Sequence, residues 1–214
     1  MVKAIFWDND GILVDTEHLY FQASKEISSA LGLDLTESLY RKYFLIENSG
    51  LKALLPTLGL SEEEVVIHRA KRDQRFIELL RAKDDHLIAG VKDTLKKLHG
   101  RVSMAIVTSC ERTHFEIIHK NSNILPLFDF LITPDTYTHS KPNPEPYLKA
   151  LERTSLDAKD CLVIEDSERG LIAAKAAGLT CWIIPNQLTA SSNFEGADKI
   201  LSSVEEIPAL LALS

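Results

Sequence analysis

Residues 2–11 read Val-Lys-Ala-Ile-Phe-Trp-Asp-Asn-Asp-Gly, a short apolar run that ends abruptly in an acidic turn. Such a run is typical of a buried strand that delivers its carboxyl end into a polar loop. Asp8 and Asp10 flank a single residue, so an extended backbone would point both side chains in the same direction. Two carboxylates at one site repel each other, and a hard divalent cation with oxygen ligands relieves that repulsion. The segment therefore predicts a strand end that carries a metal site.

The same pattern of an apolar run closed by polar residues or proline recurs along the chain, at residues 102–107, 130–132, 161–164 and 179–184. Segments with helical spacing lie between these runs, at residues 90–99, 111–119, 146–153 and 168–177, and Gly178 follows the last of them at a C-cap position. This alternation predicts an α/β fold with a Rossmann-like parallel sheet that is covered on both faces. Sheets of this kind bind ligands at the carboxyl ends of their strands.

Residues 16–85 interrupt the alternation, because residues 17–31, 49–58 and 61–82 have the spacing of successive helices without strands between them. Ser61 and Glu64 form a capping-box pattern at the start of the third helix. We therefore expect an inserted, all-helical domain at 16–85 and a core built from 1–15 and 86–214. A basic stretch on the third helix is interpreted as a solvated face, and it contains Arg69, Lys71, Arg72 and Arg75.

Composition excludes several classes of protein. A formal net charge of -7 and a pI near 5.5 oppose a broad basic face, so we expect no nucleic-acid partner and no membrane partner. The N-terminal apolar run is too short for a secretory signal, and no later run approaches a membrane span. Three scattered cysteines, at 110, 161 and 181, fit neither a disulfide framework nor a paired zinc site. We expect a reduced, cytoplasmic protein, either a monomer or a weak homodimer.

The strand ends supply the groups that phosphoryl transfer requires. Asp8 is the candidate nucleophile, since an aspartate is ionised at neutral pH. Thr108 or Ser109, at a strand end that leads into a helix, can hydrogen-bond a phosphate. Lys141 can add a full positive charge. Asp10 can protonate the leaving alcohol and then deprotonate the water that cleaves the phosphoryl-enzyme.

A later strand end adds two more acidic groups, Glu165 and Asp166. Asp166 can give a third oxygen to the metal, and Glu165 can orient a bound water. Each motif has a simpler explanation in isolation: turn chemistry for Asp-x-Asp-Gly, helix capping for Thr108-Ser109 and Glu165-Asp166-Ser167, and a surface loop for Lys141-Pro142. Their shared position at one predicted sheet edge favours a common site.

The chain resembles the haloacid dehalogenase superfamily, in the branch shared by sugar-phosphate phosphatases, phosphoglycolate phosphatase and beta-phosphoglucomutase. Its motifs occur in the same order and extend over nearly the full length of the chain. The resemblance rests on residues 7–17 as the nucleophile segment, 106–109 as the phosphate-contacting strand end, 140–142 as the lysine motif, and 163–167 with Gly170, Ala173, Ala174, Ala177 and Gly178 as the metal-site motif and the helix behind it.

The resemblance implies a core with a helical cap inserted after the first motif. It also implies Mg²⁺ bound by Asp8, Asp166 and the backbone carbonyl of Asp10. The aspartate at position 10 favours phosphate esters over carbon–halogen bonds, because the dehalogenases lack it. Asn9 departs from the Leu, Phe or Met that relatives usually carry, although the phosphate contact expected there comes from the backbone N–H.

The leading hypothesis is a Mg-dependent phosphatase that acts on a small phosphorylated metabolite, of the sugar phosphate or phosphoglycolate type, through a phosphoryl-aspartate. A phosphomutase is the nearest alternative. It is weakened because Tyr20 stands near the place of the mutase histidine and residues 46–50 stand near that of its Gly-x-Ser-Arg stretch. Cap residues that can select substrate are more often surface or packing residues: Tyr20, Tyr43, Asn48, Lys52 and Arg72.

Two further alternatives come from other classes of protein. A non-enzymatic calcium-binding module is suggested by Asp8, Asp10, Gly11 and Glu17, which match part of an EF-hand loop. Phe6 occupies the first ligand position of that loop and the preceding segment has the pattern of a strand, so this alternative is the weaker one. A catalytically silent domain on the same fold has no positive support in the residues.

Overall fold

The computed structural model of the chain describes residues 1–211. The chain divides into two compact units. One consists of Met1–Asp15 and of the chain from Asp85 onward, and the other is Thr16–Asp84. Asp85 thus falls in the first unit, one residue from the boundary expected from the sequence; its side chain accepts a hydrogen bond from the backbone N–H of Leu87.

The first unit is built on a six-stranded sheet in the order β3-β2-β1-β4-β5-β6, and every neighbouring pair is parallel. All four residues of β1 are buried, which requires cover on both faces of the sheet. The short β6 was not expected from the sequence, because it has two residues, both exposed, and no apolar run. The strands are β1 Ala4–Trp7, β2 Ser103–Val107, β3 Phe130–Ile132, β4 Cys161–Glu165, β5 Thr180–Ile183 and β6 Lys199–Ile200.

Helices connect the successive strands from β1 to β5, as a parallel sheet requires, whereas turns join β5 to β6. Tyr147 and Leu171, from the helices before and after β4, share one buried apolar cluster with Phe6, Val107 and Val163 of the sheet. This cluster fixes one face of the strands whose ends carry the polar residues. The helices of the first unit are α5 Val91–Leu98, α6 Arg112–His119, α7 Glu145–Thr154, α8 Glu168–Ala176 and α9 Ile207–Leu210.

The second unit is helical throughout, with α1 Glu17–Ala30, α2 Glu37–Tyr40, α3 Gly50–Leu54 and α4 Glu62–Arg81, and a π-helical turn at Arg41–Ile46. The capping box at Ser61 and Glu64 is present. Tyr20 packs edge-on against Phe76 at 5.0 Å between ring centroids and lies beneath the guanidinium of Arg72 at 4.5 Å. Arg72 is buried, so this part of the basic stretch is packing and not the solvated face expected from the sequence.

The elements bear on membrane crossing and on the calcium-binding alternative. Within residues 1–211, no helix has both the length and the apolar character needed to cross a bilayer. The segment before Asp8 is strand β1, with Phe6 fully buried in the sheet. An EF-hand loop follows a helix and ligates through its first residue, so the calcium-module alternative is wrong.

Candidate active site

The carboxyl ends of β1 and β4 meet at one edge of the sheet and bring three acidic residues together. Trp7 pairs with Ile164, and the backbone N–H of Asp8 donates to the Ile164 carbonyl at 2.9 Å. Asp8 therefore lies beside Glu165, the last residue of β4, and Asp166, which follows it. One oxygen from each of these three carboxylates lies within 4.8 Å of the others.

Lys141 connects three strand ends through its ammonium group. The Nζ atom donates to Asp8 Oδ1 at 2.6 Å, to Glu165 Oε1 at 2.7 Å and to the backbone carbonyl of Val107 at 2.8 Å. An ammonium has three N–H donors, so these bonds use all of them. The side chain is 2% exposed, and the cation is therefore held in one position in a region from which water is largely excluded.

Glu165 is saturated with hydrogen bonds. Its Oε1 accepts from Lys141 and from the Tyr147 hydroxyl at 2.9 Å. Its Oε2 accepts from the backbone N–H groups of Asp166 and Ser167 and from the Ser167 hydroxyl. Gly170 closes the back of this site, since a Cβ there would overlap the Glu165 carboxylate. Both oxygens are thus fixed by the protein.

The electrostatics of this cluster follow from burial. Burial and, after it, the charge of Glu165 raise the pKa of Asp8 to about 7, against the opposing effect of the Lys141 ammonium. Burial also works against ionisation of Glu165, but the Lys141 ammonium holds the pKa of that carboxyl below its usual value. Burial would lower the pKa of Lys141, whereas its two carboxylate partners raise it. The lysine and Glu165 are therefore an ion pair at neutral pH.

Asp166 is oriented by a residue that the sequence did not single out. Asn186 Nδ2 donates to Asp166 Oδ2 at 2.6 Å. The backbone of Gly11 lies against these two side chains and has a positive φ of 84°. A Cβ at this position would overlap both Asp166 and Asn186. The glycine is required for this close approach. A carboxylate held in this way is typical of a metal ligand whose orientation is set by a neighbouring amide.

The donor set fits magnesium. Asp8 and Asp166 offer carboxylate oxygens, which hard cations prefer, and the negative charge gathered here exceeds what Lys141 neutralises. The Asp10 carboxylate does not belong to this group of three. It instead accepts a hydrogen bond from Asn9 Nδ2 at 3.2 Å.

Thr108 and Ser109 follow β2 directly, next to the carbonyl that Lys141 contacts. Thr108 Oγ1 accepts from the backbone N–H of Cys110 at 2.9 Å. The Ser109 hydroxyl is buried and makes no hydrogen bond of standard geometry within residues 1–211, although the Tyr137 hydroxyl lies near it. A buried hydroxyl without a partner is costly, and an anion at this position would satisfy it.

Three residues of this region escaped sequence reasoning: Tyr147, Asn186 and His119. Asn186 had a signal, because it follows β5 at the same edge of the sheet. Tyr147 lies inside α7 and His119 at the end of α6, where the sequence gives no sign of a polar partner. His119 Nε2 lies 2.7 Å from Asn9 Oδ1 although the two residues are 110 positions apart.

Comparison with known proteins identifies the family. The family model described as haloacid dehalogenase-like hydrolase matches residues 5–184. The protein CbbY of Cereibacter sphaeroides is 31% identical, over 100% of this chain and 97% of its own length. A phosphorylated carbohydrates phosphatase of Thermotoga maritima is also 31% identical, over 83% of this chain and 82% of its own.

A solved structure agrees. The crystal structure of a CbbY variant from Rhodobacter sphaeroides in complex with xylulose-(1,5)bisphosphate superposes with a TM-score of 0.81 at 26% identity, over 96% of each chain. The sheet order, the cluster at its edge and these matches lead to one assignment: the chain is an enzyme of the haloacid dehalogenase-like hydrolase family.

Proposed function

We propose that this protein is a magnesium-dependent phosphatase that hydrolyses a small phosphorylated metabolite through a phosphoryl-aspartate at Asp8. The observation that carries the proposal is the position of the Lys141 ammonium, 2.6 Å from Asp8 Oδ1 and 2.7 Å from Glu165 Oε1, beside the Asp166 carboxylate. A nucleophile, a fixed cation and metal-binding oxygens therefore share one site.

In the first step, an Asp8 carboxylate oxygen attacks phosphorus in line with the ester oxygen. The new bond joins Asp8 to phosphorus, and the bond from phosphorus to the ester oxygen breaks. Asp10 donates its proton to the leaving oxygen, so the alcohol departs neutral. Lys141 neutralises charge on the equatorial oxygens, and the hydroxyls of Thr108 and Ser109 donate hydrogen bonds to them.

In the second step, water attacks the phosphoryl group on Asp8, and Asp10 accepts the proton that water loses. The bond between Asp8 and phosphorus breaks, which returns the carboxylate and releases inorganic phosphate. Asp10 thus alternates between acid and base, and the cycle is balanced in protons.

Asp8, Asp166 and the backbone carbonyl of Asp10 would hold Mg²⁺, with Glu165 behind them. The bound ion supplies positive charge that keeps Asp8 ionised and offsets the charge of the phosphate. Glu165 carries five hydrogen bonds from its surroundings. This favours a role in fixing Lys141 and the Asp166 backbone over direct contact with the ion or its water.

The substrate class is proposed from the relatives. One is called a phosphorylated carbohydrates phosphatase and another was crystallised with a sugar bisphosphate. We therefore expect a sugar phosphate, or a small acid of the phosphoglycolate type. We assign the helical unit Thr16–Asp84 the role of a cap that excludes bulk water and contacts the organic part of the substrate.

The test is Asp8→Asn, assayed with 4-nitrophenyl phosphate and magnesium. The amide is nearly the same size but cannot form the phosphoryl-enzyme, so turnover should fall below detection while circular dichroism stays unchanged. Retained turnover would refute the role of Asp8. Parallel assays of phosphate release and of sugar-phosphate isomerisation on a substrate panel distinguish a phosphatase from a phosphomutase.

A further inference from the structure

The residue between the two aspartates of the first motif is a buried asparagine with a defined network. Asn9 is fully buried. Its Nδ2 lies 3.2 Å from Asp10 Oδ2, and its Oδ1 lies 2.7 Å from His119 Nε2. His119 is buried in turn, and its Nδ1 faces the buried hydroxyl of Ser122 at 3.1 Å. A continuous polar chain therefore runs from α6 to the Asp10 carboxylate.

The direction of these hydrogen bonds follows from the carboxylate. Asp10 Oδ2 accepts when the carboxyl is ionised and also when the acid proton is on Oδ1, so the amide group of Asn9 must present its NH₂ to this oxygen in both states of the cycle. The opposite amide orientation would place two oxygens against each other. Asn9 Oδ1 then faces His119, and His119 Nε2 must carry a hydrogen and donate it. The remaining ring nitrogen, Nδ1, is then an acceptor, and the Ser122 hydroxyl lies 3.1 Å from both Nδ1 and the backbone carbonyl of His119, with one proton to donate to either.

The imidazole is suited to this fixed role. Burial, with help from His86, lowers the pKa of His119 to about 4. The ring therefore stays neutral at physiological pH, with one N–H, and does not switch its donor pattern. The Phe115 ring packs against it with centroids 4.4 Å apart. Ring and amide are both held in place before any substrate binds.

The side chain of Asn9 is not needed for the turn itself. Its backbone carbonyl accepts from the N–H groups of Leu13 and Val14 at 2.8 and 3.1 Å, which any residue can do. An apolar side chain would fill the same buried space without the cost of burying an amide and an imidazole. The polar pair thus has a specific use beyond packing.

We propose that Asn9 and His119 are positioning residues that hold the Asp10 carboxylate in the orientation required to protonate the leaving group. They act through Asp10 and do not touch the substrate. The proposal rests on the proposed function, in which Asp10 is the general acid. Such an acid must lie within hydrogen-bond reach of the leaving oxygen, so loss of its orientation should weaken protonation selectively.

The experiment compares two esters of similar shape, phenyl phosphate and 4-nitrophenyl phosphate. Phenol is the poorer leaving group and needs the proton more. Asn9→Leu should lower kcat/KM for phenyl phosphate by about 10²-fold, the typical cost of a misplaced catalytic group, and for 4-nitrophenyl phosphate by less than about threefold. The ratio kcat/KM reports steps up to release of the alcohol, so it is independent of the later hydrolysis of the phosphoryl-enzyme.

Matched variants separate positioning from packing. His119→Phe keeps the ring but removes the donor and should reproduce the selective loss. The double variant should lose no more than either single one, because both break one chain. His119→Gln supplies an amide donor and should recover part of the activity. His99→Phe makes the same change at an exposed histidine and should leave both rates unchanged.

Equal losses on both esters, or no loss on either, would overturn the proposal. A second measurement needs no turnover: ¹⁵N NMR of the histidines should show His119 neutral and protonated at Nε2 at pH 7. A cationic ring or the Nδ1–H tautomer would also overturn it. Wild-type protein without turnover of either ester contradicts the proposed function and the role of Asp10 with it, whereas the NMR result judges the hydrogen bonds alone.

Discussion

Each unit contains an ion pair of the same length in different surroundings. In the first unit, Lys141 and Asp8 are 2.6 Å apart and their side chains are 2% and 12% exposed. In the helical unit, Arg75 and Glu26 are also 2.6 Å apart but are 37% and 41% exposed. Distance alone therefore says little about energy. The buried pair costs desolvation and is compensated by further hydrogen bonds, whereas water screens the exposed pair.

We expect the largest loss of activity and of stability from a substitution of Lys141. Lys141→Met keeps the volume but leaves Asp8 and Glu165 buried without their cation. We expect phosphatase activity below detection and a loss of about 3–5 kcal/mol in the free energy of unfolding, the usual cost of removing one partner of a buried pair. Urea unfolding at pH 8 measures the second effect, since neutralisation of Asp8 by protonation is smallest there.

Lys149→Met is the matched control, because Lys149 makes an exposed pair with Glu152 on α7. It should retain activity and nearly full stability. If Lys141→Met unfolds at the same urea concentration as this control, the buried cluster does not stabilise the fold in the way we infer.

Tyr147→Phe tests how much one of the hydrogen bonds around the buried ion pair contributes to stability, because it removes a single donor to Glu165. The Tyr147 hydroxyl is buried and donates to Glu165. Burial also raises its pKa, so it stays protonated and remains a donor. Hydrogen bonds to charged groups contribute about 1.5–3 kcal/mol, and we expect a loss in that range by denaturant unfolding. Tyr43→Phe, at a half-exposed tyrosine, should be neutral; an equal loss in both variants would point to a general effect of the hydroxyl.

Glu26→Gln tests the exposed pair and should give the smallest effect. Hydrogen bonds from Arg75 and Gln22 hold the pKa of Glu26 below its usual value. A carboxyl with a lowered pKa stabilises the fold above its unfolded pKa, near 4.5, and that contribution disappears as the pH falls through its folded value. The melting temperature should fall slightly at pH 7, and its difference from wild type should shrink as the pH is lowered below 4.5, with unchanged activity. A larger difference at pH 3 would contradict this sign.

Most of the sheet was predictable because each strand is an apolar run that ends in polar residues. The pattern located β1 to β5 and the side chains at their ends, and strand geometry then explains why Asp8 lies beside Glu165 and Asp166. The order of the strands in the sheet does not follow from this sequence pattern. It is set by pairing between strands that lie far apart in the chain.

Other features were not predictable for physical reasons. The α2 helix and the π-helical turn at Arg41–Ile46 depend on packing of Tyr40 and Phe44, whose rings stack at 4.5 Å. The partner of Asn9 is a histidine on another helix, and no local pattern encodes a contact across 110 residues. Tyr147 is placed under Glu165 by the packing of α7 on the sheet, a tertiary effect with no periodic signature in the sequence.

The central position of β1 in the sheet has a consequence for folding during synthesis on the ribosome. Its neighbours are β2, which begins at Ser103, and β4, which begins at Cys161. During synthesis at about 5–20 residues per second, the nascent N-terminal strand waits on the order of ten seconds for its second partner. The helical unit, whose contacts are local, can fold meanwhile. Of the six strands, β1 is synthesised first and is paired on both sides only once β4 has emerged, so its apolar residues stay accessible to a chaperone during that interval.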